Sequence, residues 1–205
     1  MALGYTNNFN IHINTMAKIN SKKKGSKNER NLAKLFEKWT GREFARTPSS
    51  GGLRWSNTND TAGDIICSDK THSRYFKFVI EAKSYKDINF EQLLLDNKNK
   101  KILEFWEQVL ADAKRAENKI PILLMRYNGM PRDFHFIVFS KKAYEFVFKP
   151  AIKYINKELW KKFEVEIPGY SLVIITSTML FATDYESVHK FAKKYLKNEK
   201  KEKNQ

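Results

Sequence analysis

Gly63-Asp64-Ile65-Ile66 and, a short way on, Phe76-Lys77-Phe78-Val79-Ile80-Glu81-Ala82-Lys83 are the stretches on which the fold turns. Both read as short β-strands with apolar neighbours. Residues two apart share a strand face. Glu81 and Lys83 therefore point with Val79, while Phe76, Phe78, Ile80 and Ala82 point the other way. A carboxylate and an ammonium on a hydrophobic strand are costly to bury without partners. Asp64, on the preceding strand, can bring a second carboxylate. Two carboxylates converging beside a lysine suit a hard divalent cation and a phosphate. Taken alone, Glu81 and Lys83 read more readily as an ion pair on a solvated sheet face, because so short a pattern recurs by chance.

The surrounding composition narrows the choice. The 205 residues suffice for one domain with a sizeable core and an extension. A hydrophobic content of 41% with 30% charged residues fits a soluble globular chain. The net charge of +15 and the pI of about 9.7 favour a polyanionic partner, nucleic acid before an anionic membrane surface. Cys67 is the single cysteine, which excludes an internal disulfide and fits a reducing, cytoplasmic setting. No apolar run approaches the length of a membrane span, and the N-terminus has no signal-peptide core. His12, His72, His135 and His189 lack zinc spacing among themselves or with Cys67. His135, on an apolar strand, reads as a packed core histidine. No phosphate-binding loop, dinucleotide fingerprint or serine elbow is present, so no small-molecule cofactor is expected.

Residues 1–21 are expected to be a flexible arm, and Met16-Ala17-Lys18 resembles a second start. Ser26 to Trp39 is predicted as a helix, with Leu32, Leu35, Phe36 and Trp39 as its apolar stripe and Gly41 as its stop. Ser26 and Glu29 have capping-box spacing, so Glu29 either caps this helix, the simpler reading, or reaches the metal site as a further carboxylate. Glu43 to Arg46 can form a short strand, with Arg42 and Arg46 as candidate phosphate contacts. The Pro- and Gly-containing segment from Thr47 to Ala62 reads as a loop, and its Arg54-Trp55 pair could meet a DNA backbone or a base. A short helical segment is expected at Glu91 to Leu95. Ile102, Phe105, Trp106, Val109, Leu110 and Ala113 give a helical period with Gln108 at its edge. Pro121 to Met125 reads as a buried strand, so strand–helix–strand implies a parallel pair. Asp133 to Phe139 reads as another strand. Lys141 to Phe148 and Ala151 to Phe163 look helical, Leu172 to Thr176 extended, and Tyr185 to Leu196 helical. Residues 197–205 read as a disordered charged tail.

Together, Lys24-Gly25-Ser26-Lys27-Asn28-Glu29-Arg30, Arg46 with Ser49-Ser50-Gly51-Gly52, Gly63-Asp64-Ile65, and Ile80-Glu81-Ala82-Lys83-Ser84 resemble the archaeal-type Holliday junction resolvases. These belong to the PD-(D/E)XK nuclease superfamily and share the restriction-endonuclease fold. Gln108, Ala113, Pro121 and Arg126 fit the helix and strand that follow. The likeness runs from about Lys22 to Phe139. It implies an α/β fold with an αβββαβ core (22–139) around a central mixed sheet, and a C-terminal α/β extension (140–196) packed on it. By this resemblance Asp64 and Glu81 hold Mg2+, with Mn2+ as a substitute. Lys83 orients the attacking water or steadies the transition-state charge. Glu29 completes the metal shell, against the capping reading, and Gln108 supports the site. Lys22, Lys23, Lys24, Lys27, Arg30, Arg46, Ser49, Ser50 and Arg54 are the expected DNA contacts, and the basic stretch Lys190 to Lys203 adds salt-dependent affinity.

The implied activity is metal-dependent, structure-selective cleavage of branched DNA by a homodimer, with no membrane partner. Two departures bear on substrate: Gly63 stands where many superfamily members carry Pro, and the chain beyond Ser140 has no counterpart in the family. The alternatives are a nuclease of the same superfamily acting on another DNA form, or a DNA-binding module that has lost catalysis.

Overall fold

The computed structural model describes residues 21–47, 62–93, 101–117, 119–152, 155–156, 158 and 160–203. Helix α1 spans Ser21–Thr40, and strands β1 (Phe44–Arg46), β2 (Ile65–Cys67) and β3 (Phe78–Tyr85) follow. Helix α2 (Lys101–Arg115) leads into β4 (Ile120–Tyr127) and β5 (Phe136–Ser140). The described strands form one mixed, seven-stranded sheet in the order β1-β2-β3-β4-β5-β7-β6, where β6 is Lys162–Ile167 and β7 is Tyr170–Thr176. Only β3 and β4 pair in parallel, over eight residue pairs from Phe78↔Ile120 to Tyr85↔Tyr127. The α2 crossover permits this, since parallel neighbours need a long return. The αβββαβ order is that of a restriction-endonuclease-like core.

The two faces of β3 follow its alternation. Phe78, Ile80 and Ala82 pack with Leu32 and Phe36 of α1, whereas Val79 packs with Trp106, Val109 and Ala113 of α2. Glu81 and Lys83 share the Val79 face and so point toward α2. Gly41 closes α1 with φ +66°, and its amide donates to the Glu37 carbonyl at 2.8 Å. An aromatic cluster of Phe36, Trp39, Phe44 and Phe181 ties α1 to β1 and to helix α5 (Ser177–Phe181). The Trp39 indole N–H donates to the Thr183 carbonyl at 2.9 Å. His135 is fully buried, with Nε2 2.9 Å from Asn28 Oδ1. Burial pushes its pKa down to about 4. It is the packed core histidine expected, and it joins α1 to the approach to β5.

Four expectations need correction. Helix α1 begins at Ser21, so Ser26 lies inside it and Glu29 cannot serve as its capping-box partner. Lysines tolerate a helix interior, so the Lys22–Lys24 run extends the helix past the apparent cap. Among the described residues, the helix expected over Ala151 to Phe163 does not continue past Ile152. A helical stretch runs through α3 (Lys141–Ala143), a π-helical turn (Tyr144–Phe148) and α4 (Lys149–Ile152), and Lys162 already belongs to β6. Trp160 and Phe163 are 40% and 44% exposed, so the apolar spacing that imitated a helix does not mark one buried face. β5 begins at Phe136, after the backbone amide and carbonyl of His135 have bonded to Ser177. Finally, α6 runs from Tyr185 to Glu202, so the tail expected to be disordered is helical through that residue. Ion pairs from Lys142 to Glu199 and Glu202 hold its end against α3.

Candidate active site

Asp64 is positioned by its backbone before its side chain is considered. Its amide donates to the Ile80 carbonyl at 2.8 Å, and its carbonyl accepts from the Thr47 amide at 2.9 Å. The Thr47 hydroxyl donates to the Gly63 carbonyl at 2.7 Å. Gly63 makes this route possible, with φ +89° and a backbone so close to β3 that a Cβ would lie 2.5 Å from the Ile80 oxygen. Proline, held near φ −65°, has no access to this conformation. The departure at Gly63 is therefore a different backbone path to the same carboxylate. Asp64 Oδ2 then accepts from the Ala82 amide at 2.9 Å, between Glu81 and Lys83.

Glu81 is 2% exposed, and its Oε1 accepts from Lys83 Nζ at 2.5 Å and from Gln108 Nε2 at 2.6 Å. Lys83 Nζ also donates to Gln108 Oε1 at 2.9 Å. A glutamine suits this corner because one end of its amide donates to the carboxylate while the other accepts from the ammonium. Nζ lies 5.3 Å from the Phe105 ring centroid, so α2 supplies both a polar hold and an aromatic wall for Lys83.

The charges are unbalanced. Burial raises the Glu81 pKa to about 7; the Asp64 charge adds to the rise and Lys83 works against it. Burial also raises the Asp64 pKa, reinforced by Glu29 and opposed by the Ala82 amide and Lys83. A buried carboxylate beside a half-buried one, served by one ammonium, is a donor set that fits a hard divalent cation. Among the described residues, no group of three or more His, Cys, Asp and Glu side chains is assembled to hold a metal. Asp64 and Glu81 are the two carboxylates on offer.

Glu29 projects from α1 and is engaged in an ion pair with Arg46 of β1. Its charge still acts on Asp64. Arg46, expected at a phosphate, is thus occupied by Glu29. Lys23, Lys24, Lys27 and Arg30 are exposed on α1; Lys22 lies in the same helix, with its side chain outside the described residues. Ser49, Ser50 and Arg54 lie outside the described residues. The Glu29–Arg46 pair and Phe105 were not anticipated. Phe105 had a signal, standing three residues before Gln108 on the same helix face; the ion pair joins two elements and had none.

An αβββαβ core with Asp64 entering β2, and Glu81 and Lys83 on β3, is the arrangement expected of a PD-(D/E)XK nuclease. The comparisons with known proteins agree. The chain belongs to the family described as "Phage putative PDDEXK endonuclease", whose model matches residues 20–196. It is 23% identical over 111 residues to "Protein D14" of Escherichia phage T5, covering 54% of this chain and 68% of that protein. No solved structure matches it. The family makes the protein a nuclease, with DNA as the implied substrate and a general dependence on divalent metal. Among the described residues, no helix is long and apolar enough to cross a membrane.

Proposed function

We propose that this protein is a structure-selective DNA endonuclease that resolves four-way junctions, using Asp64, Glu81 and Lys83 as its reaction centre. The Asp64–Glu81 carboxylate pair, Glu81 buried and Asp64 half-buried, with Lys83 held beside it by Gln108, carries the reading. Asp64 and Glu81 are the residues that would hold Mg2+, or Mn2+ in its place. When bound, the cation offsets phosphate charge, lowers the pKa of water and aligns the in-line displacement. Lys83 directs its ammonium at the attacked phosphate and steadies the negative charge that grows there. Water adds to phosphorus and loses a proton to solvent, the phosphorus–oxygen bond to the leaving strand breaks, and the departing oxygen takes up a proton from solvent. Gln108 and Phe105 keep Lys83 from swinging away. Glu29 would support the bound cation through water, while its Oε2 remains on Arg46. The exposed cations of α1 give salt-dependent DNA affinity. Two symmetric cuts call for a twofold dimer.

The experiment is cleavage of an end-labelled four-way junction in magnesium, beside linear duplex, flap and single-stranded controls, with Glu81→Ala and Lys83→Ala in parallel. Paired symmetric nicks in the junction, lost in both variants while DNA binding persists, are expected. Cleavage of the other substrates would keep the reaction centre and replace the junction with another DNA form. Wild-type rates in either variant would sink the residue assignment. Binding without cutting in magnesium and manganese would favour a non-catalytic module.

A further inference from the structure

At the end of the sheet where β3 and β4 begin, a groove of about 1130 Å3 opens between the C-terminal halves of α2 and α6. Asp64, Glu81, Lys83 and Gln108 are not among its lining residues. Along β3, Phe78 at this end stands roughly 17 Å from Lys83, at about 3.3 Å per residue. Eight lysines and arginines line the groove against two glutamates. One of those glutamates, Glu199, is paired with Lys142, which lies outside the lining.

The cations come from three separate parts of the chain. Arg74 precedes β3, Lys114 and Lys119 flank the end of α2, and Lys193, Lys197 and Lys200 belong to α6. The α6 lysines fall on one helix face by their spacing and extend over about 10 Å. A solvated lysine-rich helix face would not require the cations of two other segments to converge on it. Their convergence in a concavity focuses positive potential there. Tyr75 stands at the groove, 55% exposed, with Lys193 Nζ 6.0 Å from its ring centroid. An exposed aromatic beside a track of cations is the arrangement that stacks an unpaired base while holding its backbone.

We propose that this groove is a second DNA-binding site, which holds a single-stranded stretch of the substrate away from the reaction centre. The identity of the polyanion as DNA rests on the nuclease reading; the groove itself does not depend on which residues cut.

The test is fluorescence anisotropy on the full chain in chelator, with a labelled single strand and its matching duplex across a salt series. Lys193→Gln with Lys197→Gln, and Tyr75→Ala, are compared with wild type; thermal melts confirm that these surface changes leave the fold intact. The double variant is expected to bind the single strand at least tenfold more weakly. Its plot of log affinity against log salt should be shallower by about 1.4, near 0.7 per lost phosphate contact. Tyr75→Ala is expected to weaken single-strand binding at least fivefold and duplex binding less. Unchanged affinity and salt slope in the double variant would overturn the groove and leave the nuclease standing. Groove-dependent binding in a wild-type protein that cuts nothing would do the reverse, and wild-type protein that binds no DNA would overturn both.

Discussion

Replacing Glu81 with glutamine should make the metal-free protein more stable at pH 8. The Glu81 carboxyl is pushed up to about 7 from 4.5, chiefly by burial and then by the Asp64 charge. Below pH 4.5 the group is protonated whether the chain is folded or not, and it adds nothing to stability differences. Between those values the unfolded chain loses its proton first, so stability falls as pH rises. Above pH 7 the folded protein carries the whole cost of the buried charge. A shift of this size corresponds to about 3 kcal/mol. Glutamine removes that charge, and its Oε1 can still accept from Lys83 Nζ and Gln108 Nε2. The variant should therefore melt about 6–12 °C higher than wild type at pH 8, using the usual conversion for a chain of this size. The advantage should shrink toward zero near pH 4.5. Calorimetric melts in chelator at pH 4.5, 6 and 8 read this out. A variant that is less stable than wild type at pH 8, or an advantage that does not change with pH, would refute the claim that the buried Glu81 carboxylate is electrostatically loaded.

Further outcomes follow from the same geometry. Gly63→Ala should lower the melting temperature by about 5–10 °C, because its Cβ would meet the Ile80 carbonyl and φ +89° disfavours a side chain; a thermal melt checks it, and an unchanged melting temperature would contradict the close approach. Gln108→Ala should slow cleavage roughly 10–100-fold with little change in substrate KM, since it frees Lys83 without touching DNA-binding cations; loss confined to KM would remove Gln108 from the positioning of Lys83. Arg46→Ala should release Glu29 toward Asp64, raise the Asp64 pKa further, and tighten divalent-ion binding several-fold in calorimetry; weaker ion binding would show that Arg46 supports the site in some other way.

The site could be read from the sequence where its residues lie on one regular element. Glu81 and Lys83 share a strand face, and Gln108 sits at the edge of a clear helical period, so local spacing aimed all three. Glu29 resisted reading because its partner, Arg46, comes from another element, and because Ser26 supplied a plausible but false helix start. The middle of the fold was legible for the same reason as the site: α2 and β3 bury one face each and carry the corresponding period. β6 was not legible. It is an edge strand with Phe163 exposed and Val165 buried, so its alternation lacks the apolar contrast that marks a central strand. The end of α6 was concealed by composition, since lysine and glutamate runs suit both a disordered tail and an exposed helix. The Lys142 ion pairs that anchor it depend on a residue far away in the chain.

The strand ladders give the proposed reaction centre two unequal supports. Glu81 and Lys83 ride on β3, clamped to β4 along eight residue pairs. Asp64 hangs from the start of β2, which meets β3 at the single pair Ile65↔Ile80 and leans outward on the three-residue β1. The stiff side holds the lysine, while the soft side delivers the opposing carboxylate. Amide protons of β1 and β2 should therefore exchange with solvent well before those of β3 and β4. A cation shared by Asp64 and Glu81 would join the pliable ribbon to the rigid one, so that loading the site and stiffening the edge of the sheet become one event.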